Sequence, residues 1–205
     1  MLRMTTYLQS LLSTDNAPAR TGSKPQGPVV IWNLIRRCNL TCQHCYASAA
    51  NKDFAGELST DEVFAVMDDL YASGVRVLIL SGGEPLMRPD IYTIAQRAKR
   101  MGFYVGLSSN GTLIDETNVR DIAAIGFDYI GVSLDGIGAT HDAFRGMEGG
   151  FEQSMRGIRL CHQHGMKVGV RFTMTEENAH DLPAMLQLVE DEDIDKFYFS
   201  HLNYA

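Results

Sequence analysis

The stretch STDEVFAVMDDLYASGVRVLILSGG, residues 59–83, contains one helix followed by one strand. Ser59 and Glu62 have the S-x-x-E spacing of a capping box, which marks the start of a helix. Four apolar residues then recur at the i, i+3, i+4, i+7 spacing of an amphipathic helix: Val63, Val66, Met67 and Leu70. Gly74 is typical of a helix C-terminus, and the apolar run after it predicts a buried strand.

The rest of the chain repeats this alternation of strand and helix. The predicted strands are 29–36, 75–81, 103–108, 127–134, 166–174 and 195–201. The predicted helices are 59–73, 89–101, 115–125, 150–164 and 180–192. Such a pattern predicts an α/β protein with a parallel sheet. Right-handed crossovers produce either an open doubly wound sheet or a barrel. Six units in unbroken order favour a partial (β/α)6 TIM-like barrel, and in either case ligands bind at the carboxyl ends of the strands.

The chain divides into a short arm and one core domain. Residues 1–28 are loop-like and are punctuated by prolines and glycines, so they form a predicted N-terminal arm. Residues 29–205 form the predicted core domain. The chain ends at Ala205, directly after the sixth predicted strand, and we expect the barrel to be truncated there, with a C-terminal extension cut away.

Composition narrows the class of protein. Hydrophobic residues make up 45% and charged residues 21% of the 205 residues, which is ordinary for a soluble globular protein. The formal charge of −7 argues against a nucleic-acid partner. No apolar run approaches the roughly 20 residues that span a bilayer, and residues 1–7 do not resemble a secretory signal. We therefore expect a cytoplasmic protein without nucleic-acid or membrane partners.

Three of the four cysteines lie within eight residues, in the stretch RRCNLTCQHCY at 36–46. Cys38, Cys42 and Cys45 have the spacing C-x3-C-x2-C, and three thiolates on one loop suit three irons of a [4Fe–4S] cluster, which leaves the fourth iron open. The alternative is a structural zinc site. His44 would then be the fourth ligand, although its place between two ligating cysteines strains a tetrahedral arrangement. Cys161 lies mid-helix and is predicted to be a buried, small apolar residue.

Polar motifs end the next three predicted strands. Gly82-Gly83-Glu84-Pro85 lets the backbone approach a ligand, and the Glu84 carboxylate suits an ammonium group; a glycine-rich tight turn is the alternative. Ser109 and Asn110 follow the third strand. Alternation on the fourth strand separates Ile130, Val132 and Leu134 from a polar face with Gly131, Ser133 and Asp135. Ordinary loop capping is the alternative for these residues.

Arginines are candidate anion contacts. In the fifth strand, alternation places Val168, Val170, Phe172 and Met174 towards the helices. Gly169, Arg171 and Thr173 then point inwards. An unpaired guanidinium there is costly, so Arg171 needs an anion. A cofactor or substrate carboxylate would serve, or a structural ion pair with Asp135 or Glu84. Arg145, in the stretch HDAFRG at 141–146, is a second candidate, with a solvated loop as the alternative.

The cysteine spacing and the Gly-Gly-Glu-Pro motif resemble the radical S-adenosylmethionine (SAM) superfamily over most of the chain. The resemblance implies that a [4Fe–4S] cluster binds SAM, and that one electron from a donor such as flavodoxin or ferredoxin cleaves SAM to a 5′-deoxyadenosyl radical. His44 stands where the family commonly has an aromatic residue, and Ser109-Asn110-Gly111 replaces the frequent Thr-Asn-Gly. The metal ligands are then Cys38, Cys42 and Cys45. The cofactor-binding residues are Gly82, Gly83, Glu84, Pro85, Ser109, Asn110, Ser133, Asp135, Arg145 and Arg171.

Within that superfamily, residues 29–205 resemble the haem d1 biosynthesis proteins and their relatives in the alternative haem pathway. The resemblance rests on VIWNLIRRC at 30–38 and FSHLNY at 199–204. It implies removal or shortening of propionate side chains on a carboxylate-rich tetrapyrrole. Arg36, Arg37 and Arg171 would then suit carboxylates, and His201 would approach iron or a propionate. A radical SAM peptide maturase and a non-catalytic iron–sulfur or zinc module are the alternatives.

Overall fold

The computed structural model describes residues 2–3 and 27–201, with the side chains of residues 27–200. Most of the predicted arm and the side chain of His201 therefore lie outside the described residues. The described strands are β1 (Leu2–Arg3), β2 (Val29–Asn33), β3 (Val77–Ser81), β4 (Tyr104–Ser109), β5 (Tyr129–Ser133), β6 (Val168–Met174) and β7 (Lys196–His201). The described helices are α1 (Thr60–Ala72), α2 (Ile91–Arg100), α3 (Val119–Ile125), α4 (Ala139–Arg145), α5 (Gly150–Gln163) and α6 (Leu182–Asp191). Single 3₁₀ turns lie at Pro85–Met87 and Ala179–Asp181.

The strands form one sheet in the order β1-β7-β6-β5-β4-β3-β2. Strands β2 to β7 are all parallel to their neighbours and follow one another in chain order. This arrangement confirms the predicted α/β class with six parallel strands and no reversal of strand order, and it is consistent with a partial TIM-like barrel. Strand β1 pairs antiparallel with β7, a contact that the sequence pattern did not reveal. None of the helices in the described part of the chain is long and apolar enough to cross a membrane.

Most predicted elements agree with the structure to within two residues at each end, but one strand and one helix differ by three or four because local hydrogen bonds redirect the chain. Strand β2 ends at Asn33 rather than at residue 36, because the next carbonyls, of Ile35 and Arg37, accept from the N–H groups of Gly83 and Glu84 in the turn after β3. Helix α3 begins at Val119 rather than at residue 115, because the Asp115 carboxylate accepts from the backbone N–H of Thr117 and Asn118, at 2.8 and 3.2 Å. That side-chain turn competes with the first helical turn.

Helix α1 and the core agree with the sequence pattern. The Ser59 hydroxyl accepts from the Glu62 N–H at 3.4 Å, and the Glu62 carboxylate accepts from the Ser59 N–H at 2.8 Å, so the capping box is confirmed. Val168, Val170 and Phe172 are fully buried on the face of the sheet that the helices cover. Cys161 is also fully buried, as predicted, and burial raises the pKa of its thiol to about 12.

The opposite face of the sheet, called the inner face below, becomes polar towards the carboxyl ends of the strands. The register between strands aligns these inner-face residues: Asn33, Ser81, Ser108, Ser133, Arg171, Thr173 and Ser200. Glycines occupy the middle of this face at positions 106, 131 and 169. A Cβ at Gly131 would lie within 2.6 Å of three guanidinium atoms of Arg171, so the glycine gives the arginine room to lie across β5.

Candidate cluster and cofactor site

The cysteines lie on a loop that the Gly-Gly-Glu motif holds in place. The N–H of Gly83 donates to the carbonyl of Ile35 at 2.6 Å, and the N–H of Glu84 donates to the carbonyl of Arg37 at 2.9 Å. A Cβ at Gly82 would lie 2.3 Å from the Ile35 oxygen, so this close contact requires glycine. The motif therefore positions the backbone that leads directly into Cys38.

A second anchor of the cysteine loop is the stretch HDAFRG, which forms helix α4 and its glycine cap rather than the predicted loop. The N–H of Thr41 donates to the carbonyl of Arg145 at 3.3 Å, and that of Gln43 to the carbonyl of Phe144 at 3.1 Å. Gly146 has φ of 68°, and a Cβ there would meet the Thr41 hydroxyl at 2.3 Å. The carbonyl groups at the end of α4 thus accept from the loop between the first and third cysteines.

Each cysteine sulfur accepts a hydrogen bond. The N–H of Leu40 donates to Cys38 Sγ at 3.4 Å, and the N–H of Ala49 donates to Cys45 Sγ at 3.4 Å. The Asn110 side chain lies 4.0 Å from Cys38 Sγ. Arg145 Nη1 donates to Cys42 Sγ at 3.6 Å. Hydrogen bonds of this kind stabilise thiolates and tune the cluster that they ligate.

The protonation of the free thiols follows their surroundings. Burial raises the pKa of the Cys38 thiol to about 11, despite the hydrogen bond from Leu40. Burial also raises the pKa of Cys42, and the nearby Arg145 opposes that shift. The thiols must lose protons when they bind iron, so binding of the metal drives their deprotonation.

Glu84 is the centre of the contacts between β3 and β4. Its side chain is fully buried, and its two oxygens accept from the Ser109 hydroxyl at 2.9 Å, the Asn110 N–H at 2.8 Å and the Leu86 N–H at 3.0 Å. Burial raises its pKa to about 7, although these three donors oppose the shift. The carboxylate that the motif suggested for an ammonium group is therefore already bound by the protein.

The buried Glu84 makes stability depend on pH. Between the unfolded value of 4.5 and the folded value of about 7, the folded state holds a proton that the unfolded state has lost, so the free energy of unfolding falls as pH rises through this range. The Glu84→Gln variant lacks this group. We therefore expect the native protein to lose more free energy of unfolding between pH 5 and pH 8 than the variant does. Urea unfolding of the two cluster-free proteins measures this difference. An equal slope for both proteins would refute this assignment.

Asp135 joins four parts of the site. Its carboxylate is fully buried, forms an ion pair with Arg145 and accepts from the N–H of Thr173 at 2.7 Å. Its Oδ2 lies 3.6 Å from Nε2 of His44. The backbone carbonyl of Asp135 accepts from the Asn178 side chain at 3.1 Å. Asp135 thus connects the cysteine loop, the ends of β5 and β6, and helix α4.

His44 packs inside this group rather than against the cysteines as a fourth ligand. Its ring stacks on Phe144 with centroids 4.5 Å apart. Burial lowers its pKa, while the neighbouring Asp135 opposes the shift. Among the described side chains, no three His, Cys, Asp or Glu residues converge closely enough to hold a single metal ion. A zinc site brings its ligands onto one ion, whereas a cubane places each thiolate on a different iron.

Arg171 lies on the inner face, as predicted. It does not form the ion pair with Asp135 or Glu84 that the sequence analysis considered. Asp135 pairs with Arg145, and Glu84 is bound by backbone and hydroxyl donors. Arg171 Nη1 contacts the Ser108 hydroxyl, and within the described residues it forms no ion pair with a carboxylate. Its guanidinium lies over Gly131, beside Ser133 in the register of β5 and β6.

The predicted site residues meet at one end of the sheet but do not share one role. The structure places Cys38, Cys42 and Cys45, the motif 82–85, Asn110, Asp135 and Arg145 around the cysteine loop. Ser133 and Arg171 lie on the inner face. Ser109 lies on the helix-covered face, 3% exposed, and its hydroxyl donates to Glu84. Of the outer arginines, Arg37 pairs with Asp53 at 3.1 Å, and Arg36 lies over the Phe54 ring.

Two residues of the site were missed in the sequence. Ser108 faces the inner side of β4, and strict alternation from Tyr104 and Gly106 would have found it in place of Ser109. Arg88 is 7% exposed and donates to the carbonyls of Leu34 and Leu58, at 2.8 and 2.9 Å, so it holds the start of the cysteine loop. No spacing rule marks Arg88, because its acceptors are backbone atoms distant in sequence.

Comparison with known proteins agrees with this geometry. Residues 32–189 match the Radical SAM superfamily, and the chain belongs to that superfamily, whose members use a [4Fe–4S] cluster and SAM. It is 49% identical over 205 residues to pre-heme d1 synthase of Dinoroseobacter shibae, which covers 100% of this chain and 50% of that protein. It is 48% identical over 183 residues to Fe-coproporphyrin III synthase of Methanosarcina barkeri, covering 89% of this chain and 46% of that protein.

The relatives are longer than this chain. The chain spans about half the length of the curated relatives that it matches. Among solved structures, Streptococcus suis SuiB bound to S-adenosylmethionine superposes with a TM-score of 0.74, at 16% identity, over 85% of this chain and 40% of SuiB. That similarity shows the shared fold. Cys38, Cys42 and Cys45 lie on one loop, and each sulfur accepts a hydrogen bond from the protein. These three thiols fit the ligands that a [4Fe–4S] cluster needs.

Proposed function

We propose that this chain is the radical-generating core of an enzyme that modifies propionate side chains of a tetrapyrrole in haem d1 biosynthesis. The observation that carries the proposal is the 49% identity to a pre-heme d1 synthase across the whole chain. The second relative is named for an iron-bearing coproporphyrin. The family resemblance implies a carboxylate-rich ring. Arg171 on the inner face contacts hydroxyl groups and forms no ion pair with a described carboxylate, so it is a cation suited to such a ligand.

The residues of this chain then divide into two groups. The three cysteines hold the cluster, which when bound supplies the open iron and the electron that cleave SAM. We propose that the backbone at 82–85 and the Ser133 hydroxyl contact SAM, because they lie at the carboxyl ends of β3 and β5. The Arg171 guanidinium lies on the inner face beside the Ser108 hydroxyl, and we propose that it binds a carboxylate of the substrate.

Partners and location are part of the proposal. We propose that a flavodoxin or ferredoxin reduces the cluster, as the family resemblance implies. We propose a cytoplasmic location, because few, clustered cysteines suit a metal centre in a reducing compartment better than a disulfide scaffold.

A binding measurement tests the substrate class. We expect the Arg171→Gln variant to bind a carboxylate-bearing porphyrin about tenfold or more weakly than the native sequence, because a hydrogen bond to a charged group contributes about 1.5–3 kcal/mol. The change in porphyrin absorption on titration measures the dissociation constant. Arg156→Gln is the control, since Arg156 is an exposed arginine paired with Glu116.

The methyl ester of the same porphyrin keeps the ring but lacks the carboxylate charges. It therefore distinguishes binding of the carboxylates from stacking of the ring. The native protein should prefer the free carboxylate form to the methyl ester, and the Arg171→Gln variant should lose this preference. Equal affinities of native and variant proteins for the free acid would refute the role of Arg171. Binding of a ribosomal peptide and of no porphyrin would instead favour the peptide maturase.

A further inference from the structure

A buried ion pair lies directly against one ligand of the cluster. Arg145 is 9% exposed and Asp135 is fully buried. One terminal nitrogen of the Arg145 guanidinium pairs with Asp135 Oδ2, and the other lies 3.6 Å from Cys42 Sγ. A cation and an anion are therefore held in fixed positions beside the same sulfur atom.

The surroundings fix this geometry. Asp135 Oδ1 accepts from the Thr173 N–H, and the Asp135 N–H lies 3.2 Å from Nδ1 of His141, to which it donates. The backbone carbonyl of Arg145 accepts from the Thr41 N–H, so helix α4 is bonded directly to the cysteine loop. Neither charge can turn towards solvent without breaking these bonds.

One donor of the pair remains without a partner. Arg145 Nε is buried and has no acceptor in the described part of the chain. Buried polar groups in native proteins are nearly always bonded, so this N–H calls for an acceptor beyond the described residues. Because Nε belongs to the guanidinium that contacts Cys42, a ligand bound beside that sulfur is a candidate acceptor.

Charges at this depth act strongly on a redox centre. The effective dielectric constant inside a protein is far below that of water, so a unit charge within several ångströms changes the energy of adding an electron. Charge near the cluster and hydrogen bonds to its sulfurs are among the factors that set the reduction potential of an iron–sulfur protein. A cation favours the reduced cluster, and an anion disfavours it.

We propose that Arg145 and Asp135 form an electrostatic device that sets the reduction potential of the cluster through Cys42. Arg145 donates to the thiolate and favours reduction, and Asp135 holds Arg145 in place and limits its effect. The inference rests on the proposed cluster on the three cysteines. It assigns the two residues to electron acceptance, a role separate from their expected contacts to SAM.

The test uses opposite changes of charge. The native protein and the variants Arg145→Gln, Asp135→Asn and the double variant are reconstituted anaerobically without SAM and titrated in the presence of redox mediators. Electron paramagnetic resonance measures the reduced fraction. We expect Arg145→Gln to lower the ratio of reduced to oxidised cluster about tenfold at a given potential, which is about 59 mV for one electron. We expect Asp135→Asn to raise the ratio, and the double variant to return towards the native value.

Two control variants distinguish the effect of the Arg145 charge on the potential from damage to the protein structure. Arg145→Lys keeps the charge and should stay closer to the native potential than Arg145→Gln, while Arg156→Gln, far from the cysteines in an exposed ion pair, should not shift it. Single variants that shift in the same direction, or that do not shift although about four irons are bound, would overturn the inference. Loss of the cluster in every Arg145 variant, Arg145→Lys included, would also overturn it, because it would make Arg145 an assembly residue. A native protein that binds no cluster would refute the proposed function instead.

Discussion

Replacing Cys42 with alanine is expected to abolish the cluster and the cleavage of SAM. Cys42 is one of the three proposed ligands, and its replacement leaves only two cysteines on the loop. Changes to residues behind a metal ligand already cost 10–100-fold in affinity or activity, so loss of a ligand should cost more than about a hundredfold. Iron content after anaerobic reconstitution and the yield of 5′-deoxyadenosine measure the effect.

Cys161→Ala is the matched control for this experiment. Cys161 is fully buried in helix α5, away from the loop that carries the other three cysteines, and should behave as a small apolar residue. This variant is expected to bind about as much iron as the native protein. If Cys42→Ala kept its iron and its 5′-deoxyadenosine yield, or if Cys161→Ala lost them, the ligand assignment would be wrong.

A single methyl group at Gly83 is expected to disrupt the same site without touching a cysteine. The added Cβ would lie 2.4 Å from the Arg37 carbonyl oxygen and 2.6 Å from that of Arg36. Both are backbone atoms that cannot rotate away, so the loop before Cys38 must shift. Overpacking of this kind costs about 1–3 kcal/mol. We expect Gly83→Ala to lower both the free energy of unfolding and the iron content.

Gly150→Ala is the control for Gly83→Ala. A Cβ at Gly150 would meet its closest atom, in Met147, at 3.4 Å, which is close to ordinary contact. Denaturant unfolding and iron analysis compare the two variants. A Gly83→Ala protein with native stability and native iron content would show that the Gly-Gly-Glu motif does not position the cysteine loop.

The sequence predicted a helix or strand correctly where its capping residues, its apolar period and its place in the fold all agree. Helix α1 has a capping box, an apolar stripe and a terminal glycine, and it was predicted to within one residue at each end. The strands alternate so regularly that the burial of Val168, Val170 and Phe172 followed from the period alone. Helix α4 was missed because its short stretch carries no long apolar period, and it is held by contacts to the cysteine loop.

The site was predictable in part for a similar reason. The cysteines and the Gly-Gly-Glu-Pro motif are local patterns with a physical meaning, so they could be found by spacing. The contact of Arg145 with Cys42 joins residues 103 positions apart, and no local pattern encodes such a distance. The roles of Ser108 and Ser109 depend on which face of β4 each occupies, which only the register between strands decides.

The most direct test of the central claim is electron paramagnetic resonance of the reconstituted, dithionite-reduced chain before and after addition of SAM. If Cys38, Cys42 and Cys45 leave one iron open for SAM, the spectrum of a reduced [4Fe–4S] cluster should appear and should change when SAM is added. A chain that takes up one zinc and no cluster, or a cluster whose spectrum SAM leaves unchanged, would contradict the account.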